Sequence, residues 1–353
     1  MRHYRRHLAT LYLIAAAPLA AQDEYPAVRF EGRLQHQFYW LDNAAYGEYV
    51  GPRNGFFTRR ARIEAQARLS ERVYVVIEPS YEGGRVEGLS LKDAYVDVLL
   101  TEPRTEPPLT LRIGQSKRPF GRYESLSSKN LPSIERGAGM GLVPSALNDL
   151  AEDQHLLGRD IGVLLIARIR ERVLLEAGVY NGEGESAPRD VNDAKTYAVR
   201  AGFTPGGAWS VGAAFVSHEG LPDSLGPTIR HHAWGLDAVW GVPGDPGLFV
   251  LGEFISGERF DASRGRLRGG LLVVAHNILI ERAALRSIEP VLRLDLADPD
   301  ADTPSDHSTL LGAGVGLYLT DKAQVRVLYE RQSFADPSLP AIAGVRTAVT
   351  ARF

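Results

Sequence analysis

Three features of the sequence together predict an all-β fold, a transmembrane antiparallel β-barrel of about 16 strands with a long, inward-folded third loop. Polar and apolar residues alternate with a period of two through nearly every extended segment after residue 28. The links between those segments are short and long by turns, as a barrel with two unlike ends requires. The chain also ends on Phe353, behind a strand with apolar or small residues at every second position.

The first element is a targeting segment. Arg2, Arg5 and Arg6 precede an apolar run from Leu8 that closes on Pro18-Leu19-Ala20-Ala21, the pattern of a secretory signal peptide too short to span a bilayer. Residues 1–21 are therefore expected to be removed, leaving 22–353 as one barrel domain. Loss of those three arginines takes the formal net charge from −3 to −6, and a mildly acidic exported chain is no nucleic-acid binder.

The strands follow in order. Gly32, Leu34, Phe38 and Trp40 alternate with Arg33, Gln35, Gln37 and Tyr39, which sets one face of the first strand against the other. In the second, Ala61, Ile63, Ala65, Ala67 and Leu69 alternate with Arg60, Arg62, Glu64, Gln66 and Arg68. The apolar face is thin and the polar face dense in arginine, which suits an exterior in lipid and an interior in water better than a packed soluble sandwich. Arg59 is out of phase. It faces lipid in this register unless it belongs to the preceding loop or to a β-bulge. His36 also falls on the outward face, where a polar residue fits near the interface or at a subunit contact.

Segments near 28–40, 57–69, 72–80, 91–99, 109–115, 160–168, 172–180 and 196–204 read as strands. The second half adds 209–217, 232–240, 247–255, 270–279, 287–296, 308–319, 323–331 and 343–353. Ser70-Glu71, Ile169-Arg170-Glu171, Pro205-Gly206-Gly207-Ala208 and Thr320-Asp321-Lys322 read as tight turns. The links at 41–56, 181–195, 218–231, 256–269 and 332–342 are long and rich in Gly, Pro, Asp and Ser. Mean hydropathy is −0.15, and no second long apolar run exists to make a helical span.

The link at 116–159 is the longest, and a stretch of that size without obvious structure is usually functional. In a barrel this wide, a loop folded into the lumen narrows the channel. With Arg112 on the strand that feeds it, its first part carries Arg112, Lys117, Arg118, Arg122, Lys129 and Arg136 against Glu124 and Glu135. Cations around a narrow pore favour anions, because they attract them and give their oxygens charge-assisted hydrogen bonds. The same residues could instead pair with carboxylates and brace the loop.

Several runs then resemble the phosphate-selective porin family, porins O and P. They are Phe57-Thr58-Arg59-Arg60-Ala61-Arg62, Lys92-Asp93-Ala94-Tyr95, the stretch from Arg112 to Gly121, Ser127-Ser128-Lys129, Ile134-Glu135-Arg136, Gly158-Arg159-Asp160-Ile161-Gly162-Val163 and Val179-Tyr180-Asn181-Gly182. The resemblance implies a trimeric, 16-stranded outer-membrane channel for small phosphate-like anions, embedded in outer-membrane lipid. It makes Arg59 and Arg60 part of a basic ladder, Asp93 an acidic wall residue, and Lys117 and Lys129 cations of the constriction. No uninterrupted arginine series appears in the second half.

No cofactor or metal is expected. The absence of cysteine excludes disulfides, thiolate metal sites and a cysteine nucleophile. His231-His232 is expected in a loop, and Asp298, Asp300, Asp302 and Asp306 in a solvated acidic link without the glycine and terminal glutamate of a calcium loop. His155 beside Asp153 or Asp160 lacks a nucleophile motif. The readings left open are a channel for other solutes or of no specificity, an outer-membrane barrel enzyme, and a secreted β-sandwich.

Overall fold

A sheet with one lipid-facing and one water-facing side can leave no edge unpaired in a bilayer, so it must close on itself. The computed structural model describes residues 25–42, 54–83, 88–102, 108–138, 144–170, 172–187, 189–220, 228–261, 265–282 and 284–353. It is a closed antiparallel barrel in which each strand pairs with its sequence neighbours and the first pairs with the last. The strands are β1 (Ala27–Leu41), β2 (Asn54–Arg68), β3 (Val73–Glu82), β4 (Gly88–Leu99), β5 (Leu109–Lys117), β6 (Arg159–Ile169), β7 (Val173–Tyr180) and β8 (Thr196–Gly206). The second half contains β9 (Trp209–Gly220), β10 (Ile229–Trp240), β11 (Gly247–Glu258), β12 (Arg266–Arg282), β13 (Leu285–Asp298), β14 (Ser308–Tyr318), β15 (Ala323–Phe334) and β16 (Ile342–Arg352).

Every segment read as a strand is one. The side chains are distributed as a membrane barrel requires and a soluble protein forbids: on β13, Leu292 is 62% exposed while the adjacent Arg293 is 2% exposed. All four tryptophans, Trp40, Trp209, Trp234 and Trp240, stand on the outer face, where amphipathic rings anchor a barrel at the lipid headgroups. Tight turns lie at the end where β1 begins and β16 ends. At the turn from β8 to β9, Gly206 opposes Trp209, and Gly207 adopts φ 73°, a backbone state that side chains disfavour. The proposed signal peptide and most of the link 41–56 lie outside the described residues, as does Glu171.

Two expectations are corrected. Strands at the long-loop end outrun the alternation that marks them, so 247–255 and 270–279 become β11 and β12, with Glu258 opposite Arg266. Above the bilayer both faces meet water, so ladder hydrogen bonds continue where the hydropathy pattern stops. For the same reason His231 and His232 lie within β10 and not in a loop. His231 is buried inside the barrel, while the His232 ring stacks outside on Phe215 at 5.7 Å.

The phase of Arg59 resolves as a bulge. Gln35 pairs with Arg60 and His36 with Thr58, so Arg59 is the extra residue on β2 and turns its guanidinium inward. The barrel closes where Gly32 and Phe353 exchange backbone hydrogen bonds of 2.9 and 3.1 Å. A Cβ on Gly32 would overlap the Phe353 ring.

The long third loop folds into the lumen and carries two short helices, α1 (Arg122–Ser125) and α2 (Leu147–Asp153). Phe120, Tyr123, Leu131, Leu147, Leu150, Leu156 and Leu157 form a buried cluster with Val216, Phe249, Leu251, Ile255, Leu271 and Val273 on the inner wall. Each large apolar side chain so covered contributes about 1.5–3 kcal/mol. The loop therefore fills the half of the lumen bounded by β9 to β13, and the open path runs along the wall from β1 to β8.

Candidate functional site

That open path consists of two chambers. An outer one of about 670 Å³, toward the long loops, is lined by residues such as Arg59, Arg60, Lys92, Glu135, Glu152 and Glu185. An inner one of about 380 Å³, toward the short turns, is lined by residues such as Arg33, Arg112, Arg122, Lys129, Arg168 and Arg200. Arg62, Arg136 and Arg159 border both, so they mark the neck between them.

Each neck arginine is tied to carboxylates. Arg62 reaches Glu78 at 3.3 Å and contacts Glu82, with its Nε donating to Ser80 Oγ at 3.0 Å. Arg136 lies 3.1 Å from Glu124 and donates to the Tyr123 and Leu126 carbonyls. Arg159 grips Asp93 with two bonds of 2.9 and 3.0 Å, the fork geometry that guanidinium offers a carboxylate. Above the neck, Arg60 and Arg59 both hold Glu135, at 2.5 and 3.2 Å. Lys117 meets Glu124 at 2.9 Å. These cations are already engaged: all three nitrogens of Arg62 have partners, and Lys117 also donates to the Glu124 and Leu126 carbonyls.

The other expected residues lie apart. Lys129 sits at the inner chamber, bonded to Glu31 at 2.7 Å near the start of β1. Arg112 is on the inner wall, in bidentate contact with Asp97 at 2.7 and 2.8 Å and 3.7 Å above the Tyr95 ring. Arg122 lines the inner chamber, and Arg118 is buried between the two ends of the loop, donating to the Leu157 carbonyl near Asp160. The acidic quartet at 298–306 is a surface: Asp298, Asp300 and Asp302 pair with Arg268, Arg259 and Arg266.

Titration in the loop follows these contacts. Burial alone would raise Glu124, but Arg136 and Lys117 outweigh it and hold the group at about 2. Glu135 is likewise held well below the usual carboxylate range, burial being overcome by Arg59 and Arg60. Asp149 and Glu152, on α2, have no such cation. Burial pushes Asp149 up to about 6 despite the Ala138 N–H. Desolvation by the enclosing lumen wall, then the charges of Glu124 and Asp149, push Glu152 up to about 7.

Residues that position the loop were not legible in the sequence. Glu253 on β11 accepts the N–H groups of Arg122 and Tyr123 at 2.5 and 2.8 Å. Arg293 on β13 donates to the Glu135 and Arg136 carbonyls while holding Asp295 at 2.6 Å, and Asp295 accepts the Leu147 N–H at 3.0 Å. Arg346 on β16 donates to the Ala138 carbonyl at 2.5 Å. Arg159 was also missed as a site residue, although it stands in one of the runs that carried the resemblance.

Residues 28–231 match the family model described as phosphate-selective porin O and P. Among solved structures, an anion-selective porin from Comamonas acidovorans superposes with a TM-score of 0.66 at 12% identity, covering 93% of this chain and 99% of that one. The trimer form of OmpT, an outer membrane protein of Vibrio cholerae, gives 0.61 at 12% identity over 93% and 99%. The outer membrane channel DcaP of Acinetobacter baumannii gives 0.59 at 10% identity over 92% and 97%. No curated protein is similar enough in sequence to count as a match.

Proposed function

The chain belongs to the phosphate-selective porin O and P family, and from that premise we propose that this outer-membrane porin is a passive, anion-preferring channel for small phosphate-like solutes. The observation that carries the preference is the lining of the inner chamber, where eleven cationic residues stand against four carboxylates among the described residues, although Arg112, Lys129 and Arg200 also pair with Asp97, Glu31 and Asp237 outside that lining. Low-dielectric walls focus that excess into the water of the pore and raise the local concentration of anions. At the neck, the anion exchanges part of its hydration shell for charge-assisted hydrogen bonds to Arg62, Arg136 and Arg159, which give up some of their bonds to Glu78, Glu82, Glu124 and Asp93 in return. Motion is down the solute's own gradient, and no group in the pore is assigned a chemical step.

Export through a cleaved leader and assembly as a homotrimer belong to the same reading. The trimer form of a protein sharing this fold supports it, as does the polar contact between His36 and Thr58, 3.2 Å apart on the outer face, which a subunit contact would shelter from lipid.

The pairing of every neck arginine with a carboxylate favours a second reading, a general diffusion porin with a mild charge preference. Swelling of proteoliposomes separates the two. Sugar phosphates should enter several-fold faster than neutral sugars of equal size. Equal rates would favour the second reading, and faster entry of amino sugars would refute the first.

A further inference from the structure

Four aromatic rings meet where the third loop returns to the barrel wall. His218, near the end of β9, and His231, near the start of β10, are register partners that both point inward, 1% and 0% exposed. Their rings lie 5.3 Å apart, edge to face. His155, two residues beyond α2, is exposed and stacks on His218 with ring centres 5.4 Å apart and 7° between the planes. The Phe260 ring, just past β11, lies 5.0, 4.9 and 4.8 Å from His155, His218 and His231.

The same cluster carries bonds that hold the returning limb of the loop. His231 Nε2 donates to the Gln154 carbonyl at 3.0 Å, and Gln154 Oε1 accepts the Phe260 N–H at 2.6 Å. That tautomer leaves His231 Nδ1 as a buried lone pair without a partner. His218 Nδ1 meets Thr196 Oγ1 on β8 at 2.6 Å. Gly158, three residues after His155, leads straight into Arg159 of the neck.

The surroundings favour neutral rings. Arg118, on the outgoing limb of the loop, donates to the Leu157 carbonyl, with Asp160 of β6 3.9 Å from its Nη1. Glu258 on β11 accepts the His232 N–H at 3.2 Å, and the His232 ring faces outward onto Phe215. Asp153 precedes His155 by two residues, yet none of the three inward imidazoles forms an ion pair among the described residues. An imidazole enclosed beside an arginine and two more imidazoles takes a proton only below its ordinary range, and each proton gained repels the next. A proton on His231 Nδ1 would also be a buried donor with nothing to accept it.

We propose that His155, His218 and His231 form a proton-operated latch, closed at neutral pH and open in acid, that fixes the returning limb of the third loop and with it the neck. Acid charges the rings against one another and against Arg118, the bonds to Gln154 break, and residues 154–158 leave β9 and β10. Arg159 then loses its fixed position, and the current flickers between levels. The latch requires a channel and holds whichever ion that channel prefers.

The test is single-channel recording of the full protein in planar bilayers of potassium chloride. The parent should be quiet at about pH 7.5 and spend several-fold more time in altered conductance levels at about pH 4.5. His155→Gln/His218→Gln/His231→Gln, which keeps polar side chains that do not titrate, should be quiet at both. His155→Arg sets a permanent cation at the exposed corner of the cluster, where it leaves the buried rings in place, and should bring the flicker to neutral pH. Backbone hydrogen exchange over residues 147–158, compared between parent and triple variant at the same acid pH, should be several-fold faster in the parent. A parent equally quiet at both pH values, a triple variant as acid-sensitive as the parent, or a quiet His155→Arg channel would overturn the latch and leave the porin reading standing. Folded protein that gives no conductance steps at any pH would overturn the channel reading instead.

Discussion

Glu152 and Asp149 face the outer chamber from α2 without a cation to hold them, while Glu124, a few residues from the same neck, is fixed by Arg136 and Lys117. Both raised groups lose their charge as pH falls through about 7 and about 6. The outer chamber then sheds two negative charges, and chloride over potassium selectivity should increase between pH 8 and pH 5. Because their charged forms are the disfavoured ones in the folded protein, the same protonation adds stability on acidification and withdraws it as pH rises through those values. Glu152→Gln should flatten the upper part of the selectivity profile, and zero-current potentials recorded across that range would show it. A profile unchanged by the substitution would mean that Glu152 does not face the ion path. At this scale the sequence was read unevenly. Arg60, Arg62 and Arg136 fall where alternation and loop position put them. Whether a cation faces a carboxylate depends on strands far apart in the chain, as with Arg159 and Asp93, and no local pattern carries that.

The third loop is a lining held by the opposite wall. Its apolar residues follow no strand or helix period, yet they pack onto β9 to β13 and displace water from half the lumen. This accounts for the missing arginine series in the second half: those inward positions contact the loop and not the solute. Arg293 secures the loop by its bond to the Glu135 carbonyl at 2.7 Å and its ion pair with Asp295. Breaking a buried pair on one side costs about 3–5 kcal/mol. Arg293→Met should therefore lower the unfolding temperature and give larger, noisier single-channel conductance, whereas a quiet channel of parental conductance would show the loop to be held by its apolar face alone. Barrel closure is a second element-level test. Gly32→Val would place methyls where the Phe353 ring lies, and folded protein of fast gel mobility should form more slowly in detergent than the parent. The bulge at Arg59 was visible only as a phase error. Its resolution needed the register of β1, because an inserted residue is defined by its partner strand.

For the whole molecule, the alternation, the two kinds of connection and the terminal Phe353 were sufficient to give the barrel, since each strand must satisfy lipid and water on opposite faces wherever it lies in the chain. The distribution of charge along the pore axis was not legible. The first part of the third loop reads as a basic cluster, but the chain returns through Asp149, Glu152 and Asp153, which face the outer chamber and balance it. The basic excess that remains lies inside the neck, gathered from β1, β5, β6, β8 and the loop. The central claim, that this interior excess sets the sign of selectivity, is tested most directly by the zero-current potential of the reconstituted channel in a potassium chloride gradient at neutral pH. The account predicts a potential on the chloride side of zero that grows as ionic strength falls, and a potential on the potassium side would contradict it.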